Sequence, residues 1–310
     1  MEKSYVFHSN IKGEPKKRSF IKKLKTEYIG KTLSTICGLL IVILTLSIIG
    51  FLTVKGVSTF TKHNYSVIEF IFSSKWLPDA EVPQFGALIF IVGSTLVSLG
   101  AIFISAPLGI ALAIFMNFIS PKFGNLVLKP ALELFVGIPS VVYGWVGICV
   151  LIPFLKGSSN SVGFSLIAGI IVLSVMILPT ISSISSDAMK TVPKDYLEAS
   201  YGLGATRWQT ITKVIIPSAK NGILTSVILG ITRAFGEALA VQMVIGNTLQ
   251  FPKNLYSPTS TLTGVLTMDM ANTISGTLWN DALWSLALFL LIVSFIFILI
   301  IKFISAKEVK

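Results

Sequence analysis

The sequence predicts an all-α, polytopic membrane protein with six transmembrane helices. Charged residues make up only 13% of the chain, against about 25% in an ordinary soluble protein. Apolar residues make up 53%, and mean hydropathy is +0.81. The charges are also unevenly spaced: none falls in 32–54, 82–121, 134–155, 157–186 or 282–301. Each interval is long enough for one helix to cross the hydrocarbon, which takes about 20 apolar residues. Barrel strands alternate over about 10 residues, and these runs do not alternate.

The first crossing is placed at 32–54, behind a basic cytoplasmic tail, 1–31, that holds nine of the Lys and Arg residues. Both lead and apolar run are too long for a secretory signal peptide, whose apolar region is about 7–15 residues, and no small-residue cleavage site follows. The segment is therefore read as a retained helix, and its tail as a topology determinant near anionic lipid. The second crossing, 86–118, reads as one long helix, tilted or kinked at Pro107. On it Ser105, Gly109 and Ala113 recur every four residues, a spacing that permits close helix contact.

The third crossing, 130–154, contains Pro139-Ser140, which either frees backbone groups towards a polar path or only kinks the helix. Glu133 is expected in its first turn, where the helix dipole favours a carboxylate. The fourth, 162–186, carries Thr180, Ser182, Ser183, Ser185 and Ser186, which line a cytoplasmic exit or serve as packing residues. The fifth, 221–249, is apolar except for Arg233 and Glu237, four apart on one helix face. Intramembrane charges face a bundle interior or a polar pathway. The pair reads either as a salt bridge holding the helix or as part of such a pathway. The sixth crossing is 282–302, followed by a short cytoplasmic tail, 303–310.

The net charge of +11 would suggest nucleic acid in a soluble chain, but its distribution gives another meaning. The segments 1–31, 120–129, 187–220 and 302–310 carry 19 basic residues, and the opposite loops carry five. The positive-inside rule then puts both termini in the cytoplasm, as six crossings require.

No catalytic or metal constellation is found. Cys37, Cys149, His8 and His63 are scattered, which excludes a zinc site, a disulfide framework and Ser/His or Cys/His chemistry. Gly30-Lys31-Thr32 resembles the end of a phosphate-binding loop, but Lys25 stands where its first glycine belongs and no strand precedes it. No cofactor is expected. A transporter, a channel or a structural membrane subunit remain.

The loop at 187–220 carries more information. Pro193 suits the start of a short helix, and Gly202 and Gly204 its end. Thr206 and Gln209 then fit a capping box opening a second helix. Tyr196, Leu197, Ala199 and Tyr201 shape the short helix to lie in a partner's groove or to rest on the membrane.

Glu198-Ala199-Ser200, three residues, Gly204, nine residues, then Val214-Ile215-Ile216-Pro217 resembles the EAA loop of ABC-importer permeases (the MetI-like family). The substitutions in it are conservative and the spacing is kept. The resemblance implies that the short helix is a coupling helix docking into a separate ATPase, with Glu198, Ala199, Ser200 and Gly204 at its core. Trp76-Leu77-Pro78, Phe85 to Leu88, Gly93 to Leu96, Ala106 to Gly109, Gly137 to Gly144 and Arg233 to Val241 are similar to phosphate-specific permeases. The continuation to Asn247 resembles their C-type (PstC) rather than A-type subunit.

That resemblance implies a permease of a bacterial inner-membrane importer of inorganic phosphate, with both termini inside. Its partners would be an ATP-binding subunit dimer, a second homologous permease, an extracytoplasmic phosphate-binding protein and membrane lipid, and no nucleic acid. ATP hydrolysis would reside in the partner, and the chain would not itself be an enzyme. Arg233, Glu237 and Ser140 would line the substrate pathway. Arg233 would meet the oxyanion, and Glu237 would neutralise it when the path is empty. An importer for sulfate or molybdate, or a stand-alone transporter or channel, are the alternatives.

Overall fold

The computed structural model describes residues 29–158 and 162–307, so most of the basic tail and the last three residues lie outside the described residues. The chain divides into two units, 1–51 and 52–310. The described part of the first belongs to α1 (Ile29–Gly56). From Leu33 to Phe51 its apolar side chains are exposed on every face, the pattern of a helix solvated by lipid. Thr35 and Thr45 satisfy their own hydroxyls on carbonyls one turn back.

In the second unit α1 is followed by two short helices, α2 (Ser58–Lys62) and α3 (Val67–Phe72), and a small hairpin, β1 (Trp76–Leu77) and β2 (Gln84–Phe85). Extended pairing among the described residues is confined to this hairpin, with Trp76 opposite Phe85, and one bridge between Gly246 and Thr259. The second crossing is a single helix, α4 (Leu88–Ile114), that passes through Pro107 and widens into a π turn at Phe115–Ile119. The third is two helices, α5 (Lys129–Gly137) and α6 (Ser140–Val146), the latter continuing to Ser158. Glu133 lies beyond the first turn of α5, because the helix already starts at Lys129. The fourth crossing, α7 (Leu166–Lys190), is the most buried and forms the axis of the unit.

The segment after α7 forms α8 (Lys194–Gly202) and a second helix beginning with α9 (Arg207–Thr210). That helix runs on to Ser218, bends by 70° and becomes α10 (Lys220–Gly236). Then come α11 (Leu239–Ile245), α12 (Leu262–Asp269) and α13 (Leu278–Lys307), the sixth crossing.

The fifth crossing is not the continuous helix expected over 221–249. Gly236 ends α10, Glu237 is extended, and α11 begins two residues later. The two pieces nevertheless follow α7 backwards along its length. Ser226 meets Ser185 at 2.7 Å, Arg233 meets Thr180, and the Ser165 N–H reaches the Val244 carbonyl at 3.1 Å. Small residues allow this approach, with Gly230 lying on Ile181 and Gly109 of α4 on Ile181 and Ser182. Ser105 and Ala113 are fully buried on the same face of α4. Four apolar clusters result among the described residues: an aromatic one around Trp76, Phe85 and Phe90, a second around Leu173 and Ile177, a third around Met189 and Ile215, and a fourth around Val172, Met176 and Val244.

Candidate functional site

Two helix breaks define the middle of the bundle. Pro139 has no N–H, so the Phe135 carbonyl loses its helical donor. The Tyr143 hydroxyl donates to it at 2.7 Å, and the Ile138 N–H lies at 3.3 Å. Backbone freed at membrane depth is tolerated only where such partners exist. The second break is at Glu237, with φ −74° and ψ 127°. Its Oε1 accepts the Ala240 N–H at 3.1 Å and so caps α11, while its carbonyl accepts the Thr263 hydroxyl at 2.8 Å.

The breaks coincide in depth. A Cβ on Gly144 would lie 3.1 Å from Ala240 Cα, and one on Gly147 would meet Val244. Since α6 and α11 therefore run side by side in the same direction, the residues that open them, Ser140 and Leu239, sit within about one turn of each other.

Arg233 lies at this level, on the last turn of α10. Its Nη1 donates to Thr180 Oγ1 at 2.9 Å, and Tyr143 is within its electrostatic reach. No carboxylate lies within 4 Å of it among the described residues. The expected pairing with Glu237 on one helix face does not form, because the helix ends at Gly236 and carries Glu237 off that face. Glu237 borders a small niche of mixed lining instead, with Ser94, Ser98, Thr261 and Thr263 beside Val97, Phe235 and Val241. Apart from its bond to Thr180, no hydrogen bond or ion pair of the guanidinium is found among the described residues. Tyr143 was not singled out in the sequence, although a Tyr four residues after an intrahelical Pro is placed to reach the carbonyl that the Pro orphans.

In the loop between α7 and α10 the capping box forms as expected. The Thr206 N–H reaches Gln209 Oε1 at 2.8 Å, and the Gln209 N–H reaches Thr206 Oγ1 at 3.3 Å. Glu198 and Ala199 are exposed on α8, whereas Ser200 is buried and bonds Thr210 across the loop at 2.9 Å. Gly204 adopts φ +81° with no atom near the position of a Cβ, so its backbone conformation rather than crowding calls for glycine. Leu197 turns inward against the cluster around Ile211 and Ile215, whereas the sequence placed it on a face for a partner's groove or for the membrane. The outward apolar groups are Tyr196, Tyr201, Leu203 and Trp208.

Among the described residues, five helices long and apolar enough to span, a sixth broken span, and an exposed helix–glycine–helix loop before the last spans have the form of a membrane permease subunit of an ABC importer. The chain belongs to the family described as binding-protein-dependent transport system inner membrane component, which matches residues 105–309. A Bacillus subtilis (strain 168) protein named probable ABC transporter permease protein YqgH is 51% identical over 280 residues, 90% of this chain and 91% of its own length. The phosphate transport system permease protein PstC of Mesorhizobium japonicum is 34% identical over 254 residues, 76% of this chain and 77% of its own. That of Haemophilus influenzae is 28% identical over 312 residues, 94% and 97%.

Among solved structures, a bacterial alginate ABC transporter shares the fold at TM-score 0.61 and 17% identity, over 94% of this chain and 99% of that one. The MetNI methionine transporter does so at TM-score 0.51 and 20% identity, over 71% and 94%. The chain is thus a multi-pass membrane subunit of a transporter that also uses an ATPase and a binding protein.

Proposed function

We propose that this chain is the C-type permease of an ATP-driven importer of inorganic phosphate in a bacterial inner membrane, with both termini cytoplasmic. The observation that carries the reading is Arg233, the one basic residue in the interior of a crossing rather than at its end, unpaired by any described carboxylate at the level where two crossings break. In the transport path its guanidinium meets the oxyanion. Ser140 and the opening N–H groups of α6 face the same level, where a helix N-terminus favours negative charge. Glu237 holds α11 in place through its cap and supplies negative charge nearby that weakens anion binding enough for release. The choice of phosphate is supported by the relatives named PstC.

The exposed helix α8, with Glu198, Ala199, Ser200 and Gly204, couples to an ATP-binding subunit dimer, which hydrolyses the ATP; this chain makes no covalent chemistry. A second, homologous permease completes the pathway and an extracytoplasmic phosphate-binding protein delivers the anion. The test is phosphate uptake by proteoliposomes holding the four-component system, with and without the ATPase. ATP-dependent uptake of phosphate in preference to sulfate or molybdate is expected. Gradient-driven uptake by this chain alone overturns the reading.

A further inference from the structure

Beyond Ile114, α4 ends in the π turn Phe115–Ile119, and Asn117 is the one polar side chain of that turn. It lies away from Arg233 and closes on α7 through two hydrogen bonds. Asn117 Nδ2 donates to the Ser186 carbonyl at 3.0 Å, and the Ser186 hydroxyl donates to Asn117 Oδ1 at 3.1 Å. Ser186 is buried. A carbonyl only accepts, so the amide nitrogen must face it and the amide oxygen must face the hydroxyl. Twelve residues earlier on both helices, Ser105 donates to the Ser174 carbonyl at 2.9 Å. The two helices thus run in step, tied once in mid-bundle and once at their ends.

The same ends carry the α8–α9 segment. Ala113 and Ile114 of α4 and Met189 of α7 share one apolar cluster with Ile211 and Ile215, which belong to the helix that α9 opens. Phe118 of the π turn and Leu197 of α8 both pack against that cluster. The stretch Ile211–Ile215 is itself π-wound. The Arg207 guanidinium adds a long contact, 3.4 Å, to the carbonyl of Ile119. Two π turns, a form frequent at functional sites, therefore meet where α8 leans on the bundle.

Apolar burial has no direction, so such a cluster can slide without being exposed. Paired hydrogen bonds hold one geometry. A displacement of α8 bears on the cluster, and through it on the ends of α4 and α7. With the Asn117 bonds in place both ends move as one. Without them the end of α4 slips along α7 while the cluster stays buried and the fold stays intact.

We propose that Asn117 is a positioning residue for energy coupling, clamping α4 to α7 so that motion of α8 reaches the bundle. The inference rests on the reading of α8 as the contact with the ATPase. ATP hydrolysis and phosphate uptake are measured in the same proteoliposomes holding the four-component importer. Asn117→Leu keeps the volume and removes both bonds. Uptake per ATP hydrolysed is expected to fall to about a fifth, the factor by which one net hydrogen bond shifts an equilibrium, with hydrolysis and subunit stoichiometry within twofold. Asn117→Ala is expected to do the same. Ser105→Ala removes an α4–α7 hydrogen bond far from α8, and is expected to lower Tm without changing uptake per ATP.

Uptake per ATP within twofold of the unsubstituted importer overturns the clamp, and so does an equal fall with Ser105→Ala. Failure of both Asn117→Leu and Asn117→Ala to assemble makes Asn117 a folding residue and overturns it as well. Uptake by the unsubstituted importer that needs no ATP overturns the reading of α8, and the clamp with it.

Discussion

Gly204 holds the corner between α8 and α9 at φ +81°, and nothing lies within 4 Å of the position of a Cβ. Two bonds close the helix end there: the Gly204 N–H to the Tyr201 carbonyl at 2.9 Å, and the Ala205 N–H to the Ser200 carbonyl at 3.1 Å. Gly204→Ala adds no clash in the isolated chain, so its cost is the left-handed backbone alone, about 1–2 kcal/mol. At 1.4 kcal/mol per tenfold, relief of that strain by local opening raises the open population about 5- to 30-fold. Hydrogen exchange of the Gly204 and Ala205 amides reads this directly. Gly204→Asn provides the control, since Asn tolerates the left-handed region but is larger than Ala. Strain ranks exchange as Ala fastest, Asn intermediate and Gly slowest, whereas crowding ranks Asn worst. Exchange in Gly204→Ala equal to that of the glycine, or slower than in Gly204→Asn, refutes the backbone argument.

Substitutions at Ser200 and Thr210 are expected to be unequal. Ser200→Ala leaves Thr210 bonded to the Thr206 carbonyl at 3.1 Å, whereas Thr210→Val strands the buried Ser200 hydroxyl at about 1–3 kcal/mol, a difference that thermal unfolding of the purified chain measures. Gly93→Ala drives a methyl into the Ser260 carbonyl, an overpacking cost of about 1–3 kcal/mol that appears as a lower Tm. Asp269 binds its proton more readily folded than unfolded, because burial raises it from 3.8. Its contribution therefore favours the fold at low pH and is lost as pH rises through the folded-state titration. Asp269→Asn should flatten that part of the Tm–pH curve relative to the unsubstituted chain, and an unchanged curve would contradict the assignment.

Features set by local chemistry were legible in the sequence. The charge-free runs placed α1, α4, α7 and α13 within a few residues, because lipid imposes length and polarity directly on each helix. The capping box at Thr206 and Gln209 depends only on four consecutive residues. The break at Glu237 was not legible, since no proline marks it. Gly236 and a carboxylate that caps α11 replace the helical bonds, and Thr263, 26 residues away, secures the exposed carbonyl. This break is also why Arg233 and Glu237, which the sequence places one turn apart, face different surroundings. The inward turn of Leu197 depends on the cluster at Ile211 and Ile215. The contact of Trp76 with Asp269 spans 193 residues of sequence, a distance over which no periodicity speaks.

The central claim is that Arg233 handles the transported anion rather than holding the bundle together. Arg233→Gln removes one hydrogen bond to Thr180 and the only positive charge in the interior of a crossing. The direct measurement is ATP-dependent phosphate uptake by the reconstituted Arg233→Gln importer, alongside its subunit stoichiometry and Tm. Uptake should fall by about two orders of magnitude or more, since charge-assisted hydrogen bonds to an anion in a desolvated site are lost, while assembly and Tm stay close to those of the unsubstituted importer. Undiminished uptake, or loss of folding and assembly along with uptake, contradicts it.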